Sequence, residues 1–170
     1  MEEHERALRS FISACEHIPS EHWHLAPTPE KWSAAQVALH ICRAYEIARD
    51  SAGGSPGLRM RVTPLRAWAL RNVLLPLMLS TGKFPHGVPA PREAKPDLVA
   101  SEQLSREEAF TRLERVARQA AESLQLAEEQ QPSLRLTHPY FGAMTPFAAL
   151  RLLSAHTMHH ARGLGSRPVR

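Results

Sequence analysis

The 170-residue chain is short of several things, and each shortage narrows what it can be. It has two cysteines, Cys15 and Cys42. Two thiols build no disulfide framework, so a reducing compartment is expected. Aromatic residues make up 6%, and β-branched residues are few beside Ala, Leu, Arg and Glu. That balance disfavours sheets and predicts an all-α fold. No apolar run is suited to cross a bilayer: the Leu- and Val-rich stretch 62–80 holds Arg66, Arg71 and Pro76. The first residues, Met-Glu-Glu-His-Glu-Arg, are acidic where a signal peptide would be basic. One cytoplasmic domain over residues 1–170, without a membrane partner, is the expectation. A phosphate-cradling glycine loop, a Ser/His/Asp set and paired carboxylates are all missing. The formal charge is +4 and the pI about 9.6, but the basic residues are dispersed. They read as a solvated surface, so no nucleic-acid partner is expected.

What the chain does have is clear helical punctuation. Glu2 to His17 reads as a first helix, with Leu8, Phe11, Ile12 and Cys15 on one face. A loop with Trp23, Pro27, Pro29 and Trp32 follows, and the two tryptophans are expected to cover the end of the core. Ser33-Ala-Ala-Gln36 is a capping box that opens a second helix to about Arg49. Its apolar stripe is Val37, His40, Ile41, Ala44 and Ala48. After a glycine-rich loop at 51–57, residues 62–80 read as one helix or two helical pieces, more suited to oligomer contact than to a membrane surface. From Thr81 to Leu98, Pro85, Pro89, Pro91 and Pro96 predict an extended crossover without regular structure. Such a crossover lets neighbouring helices run parallel. A second capping box, Ser105-Arg-Glu-Glu108, opens a helix to about Glu129, with Phe110, Leu113, Val116, Ala117, Ala120, Ala121 and Leu124 inward. His138-Pro-Tyr-Phe-Gly142 reads as a compact turn.

The last helix is marked by Thr145-Pro146 at its start, and by Gly163, Gly165 and Pro168 at its end. Three of the ten histidines, His156, His159 and His160, lie in it. His156 and His160 continue the stripe of Ala149, Leu152 and Leu153. Residues four apart on a helix have Cβ atoms about 5–6 Å apart. Two such imidazoles can therefore share one cation, with Zn–N bonds of roughly 2.0–2.1 Å. The pair is not a zincin helix, since Thr157 stands where a general-base Glu would be needed. Chance alone would supply about half such a pair in a chain this rich in histidine, so a third ligand is the deciding feature. His40, on the inward face of the second helix, is the candidate. Three nitrogens with an open fourth position resemble catalytic metal sites more than structural ones.

The segment Pro29-Glu-Lys-Trp-Ser-Ala-Ala-Gln-Val-Ala-Leu-His40 resembles the first signature of the DinB/YfiT-like superfamily. His138 to Gly142, Thr145-Pro146 and His156 to Arg162 resemble its C-terminal signature, and the proline-rich middle resembles the crossover of one branch. The resemblance implies a four-helix bundle with a long crossover, often a homodimer. It implies a divalent metal (Zn, Ni or Fe suit nitrogen ligands) on His40, His156 and His160. His159 matches a histidine of the motif that is not usually a ligand, and His138 and His159 are candidates to support the site or to shuttle protons. Many relatives carry Gln where this chain has Gly163. Members with an assigned activity include thiol-dependent transferases and isomerases, so the resemblance points to a metal-dependent enzyme of thiol-transferase or hydrolase type. A low-molecular-weight thiol or other small molecule is thus the implied partner. A metal-stabilised bundle with a stress or interaction role is the alternative.

Overall fold

The computed structural model describes residues 2–85 and 88–166. The stop at Pro168 and the His86-Gly87 step of the crossover lie outside them. Four long helices form the bundle: α1 (Glu2–Glu16), α2 (Ala34–Ala52), α6 (Arg106–Gln130) and α7 (Pro146–Gly165). Between α2 and α6 lie α3 (Pro64–Ala69), α4 (Leu75–Thr81) and α5 (Leu98–Gln103). A small antiparallel hairpin, β1 (Leu136–His138) with β2 (Gly142–Met144), precedes α7.

Both capping boxes form. Ser33 Oγ accepts from the Gln36 amide while Ser33 N–H donates to the Gln36 side chain, and Ser105 and Glu108 do the same for α6. Each satisfies backbone groups that a helix start leaves open, an effect of about 1 kcal/mol. Thr145 Oγ1 caps α7 by accepting from the Ala148 amide at 3.1 Å. Gly163 does not end α7. The helix runs through it to Gly165 and is capped at Ser166.

Helices α2 and α6 run parallel. Glu46 pairs with Arg112 at 2.8 Å and Arg49 reaches Gln119 at 3.1 Å, so residue numbers rise together along both. The long crossover makes this direction possible. Helix α7 runs opposite to α2, setting His160 beside His40 and Thr157 beside Tyr45. The core between the four helices centres on Phe11, Ile41, Tyr45, Leu113 and Leu124, all fully buried. Many contacts in it are alanines (34, 35 and 38 on α2; 109, 117 and 120 on α6), which let the helices approach closely. Helix α2 is central enough that Cys42 and Tyr45, off the expected stripe, are buried as well. Trp23 is buried at the core's end, donating to the Leu104 carbonyl at 2.9 Å.

The connection matches the sequence expectation in its first half and differs from it in its second. Residues 64–81 form one helical path, as expected, and its middle, Leu70–Leu74, is a π turn. Pro76 lies just beyond it, lacking an N–H and crowding the preceding turn, and the wider π segment accommodates that. The crossover is not without regular structure. It contains a short 3₁₀ turn at Arg92–Ala94 and then α5, which starts where the Asp97 carboxylate accepts from the Ala100 amide at 3.1 Å. The hairpin turns at Gly142, whose φ of 66° suits glycine, and an added Cβ would sit 3.2 Å from Ala67 Cβ. A second apolar cluster, Leu75, Met78, Phe141, Met144 and Leu152, ties α4 and the hairpin to α7. None of the described helices is long and apolar enough to cross a membrane.

Candidate metal centre

His40 sits in the middle of α2 and is buried. Its Nδ1–H donates to the Ala94 carbonyl at 2.6 Å. That bond places the ring proton on Nδ1 and leaves Nε2 with a free lone pair, which is how a ligating imidazole is usually oriented. The ring of Trp32 lies 4.8 Å from that of His40, centroid to centroid. From α7, the Nε2 of His156 stands 3.2 Å from the Nε2 of His40 and 3.0 Å from that of His160. The ligating atoms of the three lie within 4.8 Å of one another.

The group fits a cation. Two nitrogens bonded to one Zn at the tetrahedral angle stand about 3.3 Å apart, given bonds of 2.0–2.1 Å. A proton on one Nε2 would satisfy one contact and leave the other lone pairs facing each other, whereas a cation takes all three. The protonation states agree. Burial holds His40 below the ordinary histidine pKa, partly offset by its bond to Ala94. Burial first, and then the neighbouring rings of His160, His40, His159 and His138, push His156 well below it. Neutral imidazole is the form that binds metal.

The histidines border a cavity of about 730 Å³. Its other walls come from α3, α4, the crossover and the hairpin. Phe84 from the crossover lies over His159, ring centroids 4.9 Å apart, and 6.0 Å from the ring of His156. His159 is therefore set against Phe84, and it is not one of the three converging rings. His138 lines the same cavity and stacks on Phe141 at 4.7 Å. The amides of Tyr140 and Phe141 both donate to its Nδ1 at 3.3 Å, so the neutral ring carries its proton on Nε2. Burial pushes His138 down to about 4. At neutral pH it is a hydrogen-bond donor, unsuited to carry a proton back and forth. Cys42 is pushed up to about 12 by burial and takes no part.

The sequence named the three converging histidines but not Ala94, Trp32 or Phe84. A main-chain carbonyl has no side-chain signature, and the two aromatics come from loops whose path depends on the packed helices.

A helical bundle with a long crossover, and three histidines from its second and last helices that could hold a metal ion, defines the class of protein. The family model described as the DinB superfamily matches residues 3–163, and the chain belongs to that superfamily. No curated protein and no solved structure matches the chain.

Gly163 is exposed, and among the described residues nothing outside the helix's own backbone lies within 4 Å of where a Cβ would be. Packing does not require glycine there. Gly163→Gln is expected to stabilise the protein by up to about 1 kcal/mol, because glycine within a helix costs that much backbone entropy. A thermal melt should show a rise of roughly 2–4 °C. A fall would mean that the added side chain disturbs α7.

Proposed function

We propose that the protein is a metal-dependent enzyme acting on a small molecule, with His40, His156 and His160 as the ligands of one divalent cation. The observation that carries this reading is the convergence of three Nε2 atoms on the edge of a large cavity. A structural metal site is normally closed by a fourth protein ligand, and among the described residues no fourth His, Cys, Asp or Glu joins the cluster. An all-nitrogen donor set suits Zn, Ni or Fe.

A cation held there would lower the pKa of a thiol or water molecule and so supply a nucleophile at neutral pH. The chain's own residues do the rest. The Ala94 carbonyl fixes the tautomer and angle of His40. Trp32 and Phe84 cover the rings of His40 and His156 and keep bulk water from them. His138 offers its Nε2–H to an oxygen of the substrate. The apolar walls strip water from the molecule that is attacked, which strengthens polar contacts within. A low-molecular-weight thiol is the cosubstrate proposed for the enzyme, following the resemblance noted in the sequence. A homodimer is supported by the exposed apolar side chains Leu65, Trp68, Val73 and Leu77 along the α3–α4 path.

The test is turnover. Protein reconstituted with Zn or Ni is incubated with a panel of thiols and small electrophiles, and with hydrolysable esters and amides. Metal-dependent turnover that is lost in His40→Ala is the expected result. Stoichiometric metal with no turnover and no thiol binding would instead leave the metal as a stabiliser of the bundle.

A further inference from the structure

The cavity beside the histidines is asymmetric in its chemistry. Most of its wall is apolar, from Leu70, Leu74, Met78, Phe84 and Leu152 among others. Among the described residues no Asp or Glu lines it, and its charged side chains, histidines aside, are Arg61 and Arg66. Both belong to the segment that leads into and opens α3, a wall separate from α2 and α7. Among the described residues neither guanidinium has a hydrogen bond or a carboxylate partner, although five other arginines form ion pairs.

Their backbone is nevertheless held in place. The Arg61 amide donates to the Pro139 carbonyl at 2.8 Å, which ties this wall to the turn carrying His138. Gly57, four residues earlier, lies against Thr137 so closely that a Cβ would stand 3.1 Å from it. The Thr63 hydroxyl caps α3 by accepting from the Arg66 amide at 3.4 Å. The hairpin is itself joined to the crossover, where Tyr140 Oη donates to the Pro89 carbonyl at 3.1 Å.

From this we infer that the cavity takes an apolar molecule bearing one carboxylate, with the carboxylate at Arg61 and Arg66 and the apolar body along the wall toward the histidines. The volume of about 730 Å³ falls within the range of small-molecule sites, about 300–1,000 Å³. Arginine is the side chain best shaped for a carboxylate, through paired N–H donors. The absence of acidic residues in the wall leaves nothing to repel the anion or to welcome an amine. The inference names the electrophile class for the proposed reaction and rests on that reading only for the word electrophile, since neither arginine belongs to the group that could hold the metal.

The probes are decanoate, 1-decanol and decylamine, each below its micelle-forming concentration. Binding is measured calorimetrically to metal-free and to Zn-loaded protein. Decanoate should bind at least about tenfold more tightly than decanol in both forms, as expected for a charge-assisted contact of 1.4 kcal/mol or more. Decylamine should bind most weakly. The Arg61→Gln/Arg66→Gln double variant, its fold checked by circular dichroism, should bind decanol as before and lose the preference for decanoate. Equal affinities for the three probes in the wild type would overturn the inference. So would a decanoate preference that survives in the double variant, or one found only in Zn-loaded protein, because the anion would then be held by the metal site. Failure of the protein to take up metal, with the decanoate preference intact, would defeat the proposed enzyme and leave the carboxylate site standing.

Discussion

Replacing His156 by alanine is expected to abolish stoichiometric metal binding. The wild-type protein should carry about one equivalent of divalent metal after loading and desalting, as a three-nitrogen site implies. His40→Ala, His156→Ala and His160→Ala should each weaken binding by more than about a hundredfold, since even the loss of an outer hydrogen-bond partner can cost 10–100-fold. His156 stands 3.2 and 3.0 Å from the Nε2 atoms of the other two, so its removal takes away both of the closest contacts and leaves two ligands. His159→Ala should keep the metal, because His159 packs against Phe84 outside the converging group. Thermal stability gives a second readout. Metal at a thousand times its dissociation constant adds about 4 kcal/mol to the folded state. A chelator should therefore lower the melting temperature of the wild type by roughly 8–16 °C and leave that of His156→Ala almost unchanged. Retention of metal by all three alanine variants would show that the ion sits elsewhere.

The metal-free protein should lose stability in mild acid, before most carboxylates titrate. Burial pushes the His138 pKa from 6.5 down to about 4. Between those values the unfolded chain binds a proton that the native ring refuses. Stability therefore rises with pH across this window, is fully present above about 6.5 and is lost as pH falls toward 4. From pH 7.5 to 5.0 the His138 contribution should fall by roughly 2 kcal/mol, at 1.36 kcal/mol per pH unit below 6.5. His4, His40 and His156 are also held below the ordinary value, mainly by burial, and act with the same sign. Urea unfolding in chelator at the two pH values measures the sum. His138→Gln should flatten the dependence without removing it. Stability that is equal or greater at pH 5.0 would contradict the lowered pKa of these rings.

The helices and their starts were legible because their causes are local. Ser33 and Ser105 each face a Gln or Glu three residues on, and the reciprocal bonds they form need no distant partner. The inward stripes of α1 and α6 are set by helical periodicity, and Phe11, Cys15, Leu113 and Leu124 are buried as expected. Less legible was α5, whose six residues follow two prolines and an Asp97 cap in a stretch dominated by extended chain. The π turn at Leu70–Leu74 was hidden too, since the strain that Pro76 introduces can be absorbed in several ways. Helix α7 runs through Gly163 and stops at Gly165, the second of the two glycines read as its end, because a glycine weakens a helix by far less than buried neighbours such as Ala161 and Leu164 hold it together.

By itself the sequence determined the order of the long helices and placed His156 and His160 on one helical face. It also gave His40 an inward position on another. These follow from turn chemistry and from a repeat of 3.6 residues, which act over a few residues at a time. Only the tertiary structure decided that the three Nε2 atoms meet. It also decided that Ala94 in the crossover sets the tautomer of His40 and that Arg61 is fixed beside the hairpin. Those relations join segments tens of residues apart through carbonyls and packed rings. Their geometry exists only once α2, α7 and the long connection have closed around one cavity.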